Sequence, residues 1–163
     1  RNMDLELDTK KNPTQRLKKL LKPLADDYDL VILDCPPGIT LLSEAILMTA
    51  DFVLVPVIPS TLSVRTLEQL KDFIEGQKLK KVKLIPFFSM VDKRKKMHRE
   101  LMLSCSTLYP DFLQASIPYA SDIERMGIER MPLGSFAGNS ASHQAYQALW
   151  LELQAVINAN IVD

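Results

Sequence analysis

The hydrophobic positions of this chain follow helical spacing in some stretches and form unbroken runs in others. Leucines recur every three or four residues after Asn12 and Pro13, a pair that favours a helix start, and lysines fill the opposite face. Such spacing predicts an amphipathic helix with one face against a core. The helices predicted in this way begin at Pro13, at Thr40 or Ser43, at Ser63, near Met97, at Ser121 and near Ser140.

Unbroken apolar runs alternate with these helices. A run of this kind is typical of a strand that is covered on both faces of a parallel sheet. Strands alternating with helices form the βαβ pattern, whose crossovers are right-handed. We therefore predict an α/β fold, a parallel sheet of about four strands flanked by helices. The four predicted strands are 30–33, 52–56, 84–88 and 112–117.

The first apolar run ends abruptly at Asp34. Two prolines and Gly38 follow, and they extend neither a strand ladder nor a helix. Asp34 is therefore expected at the carboxyl end of a buried strand, where ligands bind in open α/β sheets. An aspartate there can hold a hard cation directly or through water. The alternative is that Asp34 only caps a turn.

Composition indicates an ordinary globular domain. The chain has 163 residues, is 47% hydrophobic and 25% charged, and carries no net charge. Its longest apolar region is too short to span a bilayer. Two cysteines far apart in sequence favour a cytosolic protein with free thiols. His98 and His143 are isolated, so neither is expected to bind a metal.

Positive charge is concentrated between Lys78 and Glu100, a segment with a net charge of +7. A basic face of this kind can neutralise DNA phosphates without reading sequence. The alternative is a solvated loop and helix start, since basic runs are weak motifs. The candidate DNA-binding residues are Lys93, Arg94, Lys95, Lys96 and Arg99.

The stretch DYDLVILDCPPG resembles the second nucleotide motif of the ParA/MinD (Soj-like) family of deviant Walker ATPases. The resemblance continues through ADFVLVPVIPSTLSVRTLEQL, FFSMVDKRKKMHRE and SIPYASDIERMG. It implies that Asp34 is the Walker B aspartate, which supports Mg²⁺ through water next to the phosphates of ATP. It also implies that five residues border the nucleotide: Pro36, Pro37, Ser89, Met90 and Pro118. Tyr119 departs from the family, where many partition ATPases have Arg.

The glycine-rich phosphate loop of the family, KGGxGKT, does not occur in these 163 residues. We therefore expect residues 1–163 to form a single domain that is the C-terminal portion of a ParA-type ATPase domain, within a P-loop NTPase fold. Without that loop the chain lacks the groups that neutralise phosphate charge. Whether it acts as an enzyme is left open, and no ATP hydrolysis is expected from it alone.

For the intact protein, the resemblance implies chromosome or plasmid partitioning through ATP-dependent dimerisation and nonspecific DNA binding. Its expected partners are a second copy of the chain, DNA and a ParB-like centromere-binding protein, and its expected location is the cytoplasm, at the nucleoid. The last helix lacks the cationic flanks that membrane binding requires, so no membrane partner is expected. Two alternatives stay open. One is a non-catalytic binding or scaffold module, and the other is a ParA-like protein that positions another cargo, such as the cellulose synthesis machinery.

Overall fold

The computed structural model describes residues 12–35, 40–77 and 82–161. Strands and helices alternate from the first strand to the third, as the sequence predicts, and three helices follow. The strands are β1 (Phe52–Val57), β2 (Lys83–Val91) and β3 (Ser116–Pro118). The α-helices are α1 (Pro13–Leu21), α2 (Leu41–Leu47), α3 (Thr61–Gly76), α4 (Lys96–Leu108), α5 (Ser121–Glu129), α6 (Leu133–Phe136) and α7 (Ala141–Ile161), and a 3₁₀ helix, Lys22–Asp26, follows α1.

Polar side chains cap the first three α-helices. The Asn12 side chain accepts a hydrogen bond from the Gln15 N–H, and Pro13 occupies the first turn of α1. Thr40 and Ser43 form a capping box at the start of α2. The cap of α3 differs from the prediction, because Ser60 accepts the hydrogen bond from the Ser63 N–H, at 3.2 Å.

In the described part of the chain the sheet has three strands, in the order β1-β2-β3. Strands β2 and β3 run parallel, with Phe88 opposite Ser116 and Val91 opposite Pro118. Three steps along β2 therefore match two steps along β3, which is a bulge in β2. The predicted parallel sheet flanked by helices is confirmed, although β2 extends three residues beyond the prediction and β3 is shorter than predicted.

The chain divides into two compact units, residues 1–53 with 74–83 and residues 54–73 with 84–163. In the first unit, α1 and α2 pack around a cluster of Leu17, Leu42, Ala45 and Ile46. In the second unit, the core contains Val57, Leu67, Phe88, Val91, Cys105 and Phe112. The rings of Phe88 and Phe112 stack there, with centroids 4.5 Å apart.

The predicted strand at 30–33 is wrong. Residues 30–35 have no regular secondary structure, and Ile32 is 77% exposed. A strand forms only when a neighbour pairs with its N–H and C=O groups, and within the described residues no strand pairs with this run. The apolar run therefore meets the compositional requirement for a buried strand but not the pairing requirement.

Near the carboxyl terminus, Leu133–Phe136 forms the short helix α6. The long last helix forms as predicted, and Ser142 and Leu149 are its buried positions. None of the helices in the ranges given above combines the length and the apolar character that crossing a membrane would need.

Candidate functional site

A pocket of about 170 Å³ opens at the carboxyl ends of β2 and β3, within the second unit. Ser89 and Met90 line it from β2, and Ile117 and Pro118 line it from β3. Ligands of parallel α/β sheets bind at this edge. The remaining lining residues are Tyr119, Ala120, Ile123, Glu124 and Tyr146. The structure thus brings together three of the five residues implied to border the nucleotide, and their role in binding stays a prediction.

The bulge in β2 shapes this pocket. Met90 lies in the bulge with φ 55°, a left-handed conformation that residues with a Cβ seldom adopt. Bulges often re-aim a side chain beside a binding site. Beyond the bulge, backbone hydrogen bonding between the two strands continues, because the Tyr119 N–H donates to the Val91 carbonyl at 3.0 Å. Met90 therefore lines the pocket at a point where the ladder is interrupted.

Tyr119 and Glu124 supply polar groups to an otherwise largely apolar pocket. The hydrogen bond between them raises the pKa of the Tyr119 hydroxyl, because the Glu124 carboxylate favours the protonated phenol. Burial raises the pKa of Tyr146. Apolar walls with a few polar groups suit a flat ring system with polar edges. The carboxylate makes the same pocket unfavourable for a phosphate.

The loop between β2 and α4, which lies within the basic segment, contains an ion pair of its own. Arg94 donates from Nε to Asp92 Oδ1 and from Nη2 to Asp92 Oδ2, both at 3.0 Å. The Arg94 side chain is 88% exposed and the Asp92 side chain 12% exposed. These hydrogen bonds lower the pKa of Asp92 to about 2, since they favour its carboxylate form.

Three further contacts shape this loop. Arg99 Nη1 donates to the carbonyls of Lys93 and Arg94, at 2.6 and 3.1 Å. Lys96 pairs with Glu100 at 3.5 Å. The buried His98 accepts the Asp92 N–H at Nδ1, at 3.1 Å, so its role is to hold the loop. Of the five candidate DNA contacts, Arg94, Lys96 and Arg99 thus have intramolecular partners, whereas Lys93 and Lys95 expose their side chains to solvent.

Asp34 is an exposed carboxylate in the segment without regular secondary structure. The pKa of the neighbouring Cys35 thiol is raised, chiefly by partial burial of that thiol and secondly by the negative charge of Asp34. The described residues hold no group of three His, Cys, Asp or Glu side chains that could chelate a metal. The role that the resemblance implies for Asp34, to support a metal through water, stays a prediction. Pro36 and Pro37 lie outside the described residues.

Comparison with known proteins gives this geometry its context. The profile of a family described as an AAA domain matches residues 1–85, just over half of the chain. A ParA family protein of Chlamydia pneumoniae is 44% identical over 62 residues, which is 38% of this chain and 24% of that protein. The chain belongs to the ParA/MinD-like family.

Longer matches within the ParA/MinD-like family have lower identity. The chromosome-partitioning ATPase Soj of Treponema pallidum is 26% identical over 144 residues, which is 85% of this chain and 57% of that protein. The match thus covers 24% of the Chlamydia protein and 57% of Soj, so the chain spans only part of the length of these curated relatives.

Solved structures agree on the fold. The cell division ATPase MinD of Pyrococcus furiosus superposes with a TM-score of 0.67 at 19% identity, over 88% of this chain and 59% of that one. Cobyrinic acid a,c-diamide synthase of Mycobacterium smegmatis, with a bound ATP analogue and magnesium, superposes with a TM-score of 0.61 at 24% identity, over 78% of this chain and 59% of that one. At these identities the likeness establishes the P-loop NTPase fold.

Sequence reasoning did not assign Glu124 and Tyr146 to the pocket. Tyr146 belongs to the apolar stripe of the last helix, and a stripe of that kind usually indicates core packing. Its hydroxyl is the available signal, because a tyrosine that packs its ring usually directs that group to a polar partner, a cavity or solvent. Glu124 follows Tyr119 by five residues across a helix start, and this spacing carries no signal in sequence alone.

Proposed function

We propose that this chain supplies the base-binding pocket of a ParA-like partition ATPase, and that residues 1–163 form the C-terminal portion of its ATPase domain. The main support is the meeting of Ser89, Met90 and Pro118 in one pocket, although Pro118 lies 28 residues beyond Met90 in the chain. The family resemblance implies that Ser89 and Pro118 border adenine and that Met90 borders the nucleotide. The shares of the relatives that the chain covers support the proposal that it is a portion of a longer domain.

The chemistry of the pocket favours a base over the phosphate end of a nucleotide. Its walls are largely apolar, and Glu124 adds a hydrogen-bond acceptor. Adenine presents a flat face and an exocyclic amine, which can donate to such an acceptor. The triphosphate would extend from the pocket toward a phosphate loop supplied elsewhere in the intact protein. The resemblance implies that Asp34 supports Mg²⁺ through water, and a bound ion would neutralise phosphate charge.

In the intact protein we further propose ATP-dependent dimerisation, DNA binding through the basic loop between β2 and α4, and action with a ParB-like protein in chromosome or plasmid partitioning. Lys93 and Lys95 are the residues proposed to meet DNA phosphates. Support comes from their exposure and from the concentration of positive charge in this segment. A loop shaped by its own hydrogen bonds presents these charges with little ordering cost.

Filling the pocket tests the proposal directly. Ala120 lines the pocket, so Ala120→Leu adds three carbon atoms to a space of about 170 Å³. In the full-length protein we expect the dissociation constant for Mg-ATP, measured by calorimetry, to rise roughly tenfold or more, because overpacking typically costs 1–3 kcal/mol.

Ala148→Leu is the matched control, since Ala148 is an exposed position of α7. We expect this variant to bind as the unchanged protein does. Equal affinity for Mg-ATP in the unchanged protein, Ala120→Leu and Ala148→Leu would mean that the base binds elsewhere, and it would overturn the proposal. Binding without turnover in the unchanged full-length protein would instead favour a non-catalytic binding module.

A further inference from the structure

One wall of the pocket is a continuous stretch of chain, residues 116–123, which we call the wall segment. It contains β3 and the start of α5, and it supplies Ile117, Pro118, Tyr119, Ala120 and Ile123 to the pocket. The wall segment meets β2 through short pairing only, because β3 has three residues and lies beside a bulge. Other elements must therefore hold most of the wall segment in position.

The backbone amides that precede β3 point to one such element. The Leu113 N–H still donates to the Pro86 carbonyl of β2, at 2.9 Å. The next two amides, of Gln114 and Ala115, donate instead to the two carboxylate oxygens of Glu152 on α7, at 2.7 and 2.8 Å. Hydrogen bonds to a charged acceptor are stronger than those between neutral groups. A single side chain thus fixes the start of the wall segment.

The other end of the wall segment is held by the same helix. Ser142 of α7 is buried and donates its hydroxyl to Asp122 Oδ1 at 2.8 Å. That oxygen also accepts the Ile123 N–H, at 3.0 Å. The bond from Ser142 is the largest cause of a lowered pKa at Asp122, which keeps the acceptor charged.

These contacts lie on one face of α7. Ser142, Tyr146, Leu149 and Glu152 follow one another at intervals of four, three and three residues, which is a single helical stripe. Tyr146 lies between the two clamping residues and itself lines the pocket. Helix α7 therefore binds the wall segment near both of its ends, and its Tyr146 lines the pocket between these contacts.

We propose that Glu152 and Ser142 are positioning residues, which set the width of the pocket by holding the wall segment against β2. The inference rests on the proposed function, because it concerns the affinity of the same pocket for a nucleotide base. Neither residue lines the pocket, so each acts through the wall segment.

Glu152→Gln removes one of the two acceptor oxygens that hold the amides of Gln114 and Ala115, with little change in side-chain shape. The amide keeps one acceptor oxygen, but its NH₂ group then faces a backbone N–H, and two donors cannot pair. In the full-length protein we expect the dissociation constant for Mg-ATP to rise five- to fiftyfold, while turnover at saturating ATP changes less than twofold. Ser142→Ala should act in the same direction, and Ser142→Thr, which keeps the hydroxyl, should bind more tightly than Ser142→Ala.

Amide hydrogen exchange provides a readout that does not need nucleotide. The amides of Gln114 and Ala115 should exchange at least tenfold faster in Glu152→Gln than in the unchanged protein. Gln154→Ala is the matched control, because Gln154 is an exposed residue of the same helix. It should change neither exchange nor affinity.

The outcomes separate the two proposals. If Ala120→Leu weakens ATP binding but Glu152→Gln changes only the melting temperature, Glu152 is a packing residue and the inference is wrong. Unchanged exchange at Gln114 and Ala115 in Glu152→Gln would likewise overturn it. If exchange quickens while Ala120→Leu has no effect on ATP affinity, the clamp exists but the proposed function fails, and the claim about base affinity fails with it.

Discussion

At the scale of single residues, the basic loop shows how charge can be used to build local structure rather than to bind. Arg94 is almost fully exposed, yet its Nε and Nη2 both donate to the Asp92 carboxylate. Exposed ion pairs contribute little to stability, so the pair is best regarded as a shaping element. Positive charge alone is therefore a poor guide to which side chains meet a ligand.

The Asp92–Arg94 pair makes a prediction about pH. The pKa of Asp92 is about 2, below its ordinary value near 3.9, so the carboxylate persists well into acid. Its contribution is present above the ordinary pKa and is lost as the pH falls from about 4 through 2. In Arg94→Gln the midpoint of the Asp92 carboxyl resonance, followed by NMR, should move upward toward the ordinary value.

Lys95→Gln is the control for bulk charge, because Lys95 has the smallest effect of the causes that lower this pKa. It should leave the midpoint close to 2. Equal upward movement in both variants would mean that the hydrogen bonds contribute nothing beyond nearby positive charge.

Asp34 makes a second prediction at this scale. Because it is exposed and outside regular secondary structure, Asp34→Ala should leave the melting temperature of the full-length protein almost unchanged. Mg²⁺-dependent ATP turnover should fall strongly, since the anion that orients the water shell of the metal is lost. Asp29→Ala, an exposed aspartate in the same segment, is the matched control. Normal turnover together with a large loss of stability in Asp34→Ala would make Asp34 a structural residue.

At the scale of elements, periodicity and capping signals predicted most of this fold. The spacing of leucines and the Asn12 and Thr40 caps located α1 and α2, because these determinants are local in sequence. The run 30–33 shows where such reasoning fails. Strand formation depends on a partner that may be distant in sequence, and an apolar run does not reveal whether that partner is present.

The pocket shows the same division between local and non-local information. The family resemblance points to Ser89 and Pro118, and both line the pocket. The bulge at Met90, the bond from Tyr119 to Glu124 and the clamp by Glu152 could not be predicted, because each depends on the register between elements. Register is set by the packed chain, so pairs 37 or 38 residues apart, such as Glu152 with Ala115 and Gln114, carry no sequence signature.

At the scale of the whole molecule, the chain has no net charge but an uneven distribution of it. The segment from Lys78 to Glu100 has a net charge of +7, so the remaining residues have a net charge of −7. Within a family that includes partition proteins, such asymmetry supports a basic face for DNA. The exposed lysines of the loop, Lys93 and Lys95, are the residues through which this can be tested.

We expect replacement of Lys93 and Lys95 by Gln to weaken binding of the full-length, ATP-bound protein to any DNA sequence. Each neutralised phosphate releases counterions, so the slope of log affinity against log salt should become shallower by up to about 2. Lys18→Gln with Lys19→Gln is the matched control, an equal loss of charge on the exposed side of α1. Equal losses from both pairs would mean that only bulk charge matters, and no loss from the first pair would remove the loop from the DNA interface.

The central claim is that the pocket at the ends of β2 and β3 holds the adenine of ATP. Photolabelling of the full-length protein with Mg-8-azido-ATP, followed by mass-spectrometric mapping, tests it most directly because the reactive group is on the base. We predict adducts on the pocket residues Met90, Pro118, Tyr119 or Tyr146, lost in the presence of excess ATP. Adducts that ATP competes away but that map only outside the pocket would contradict the account.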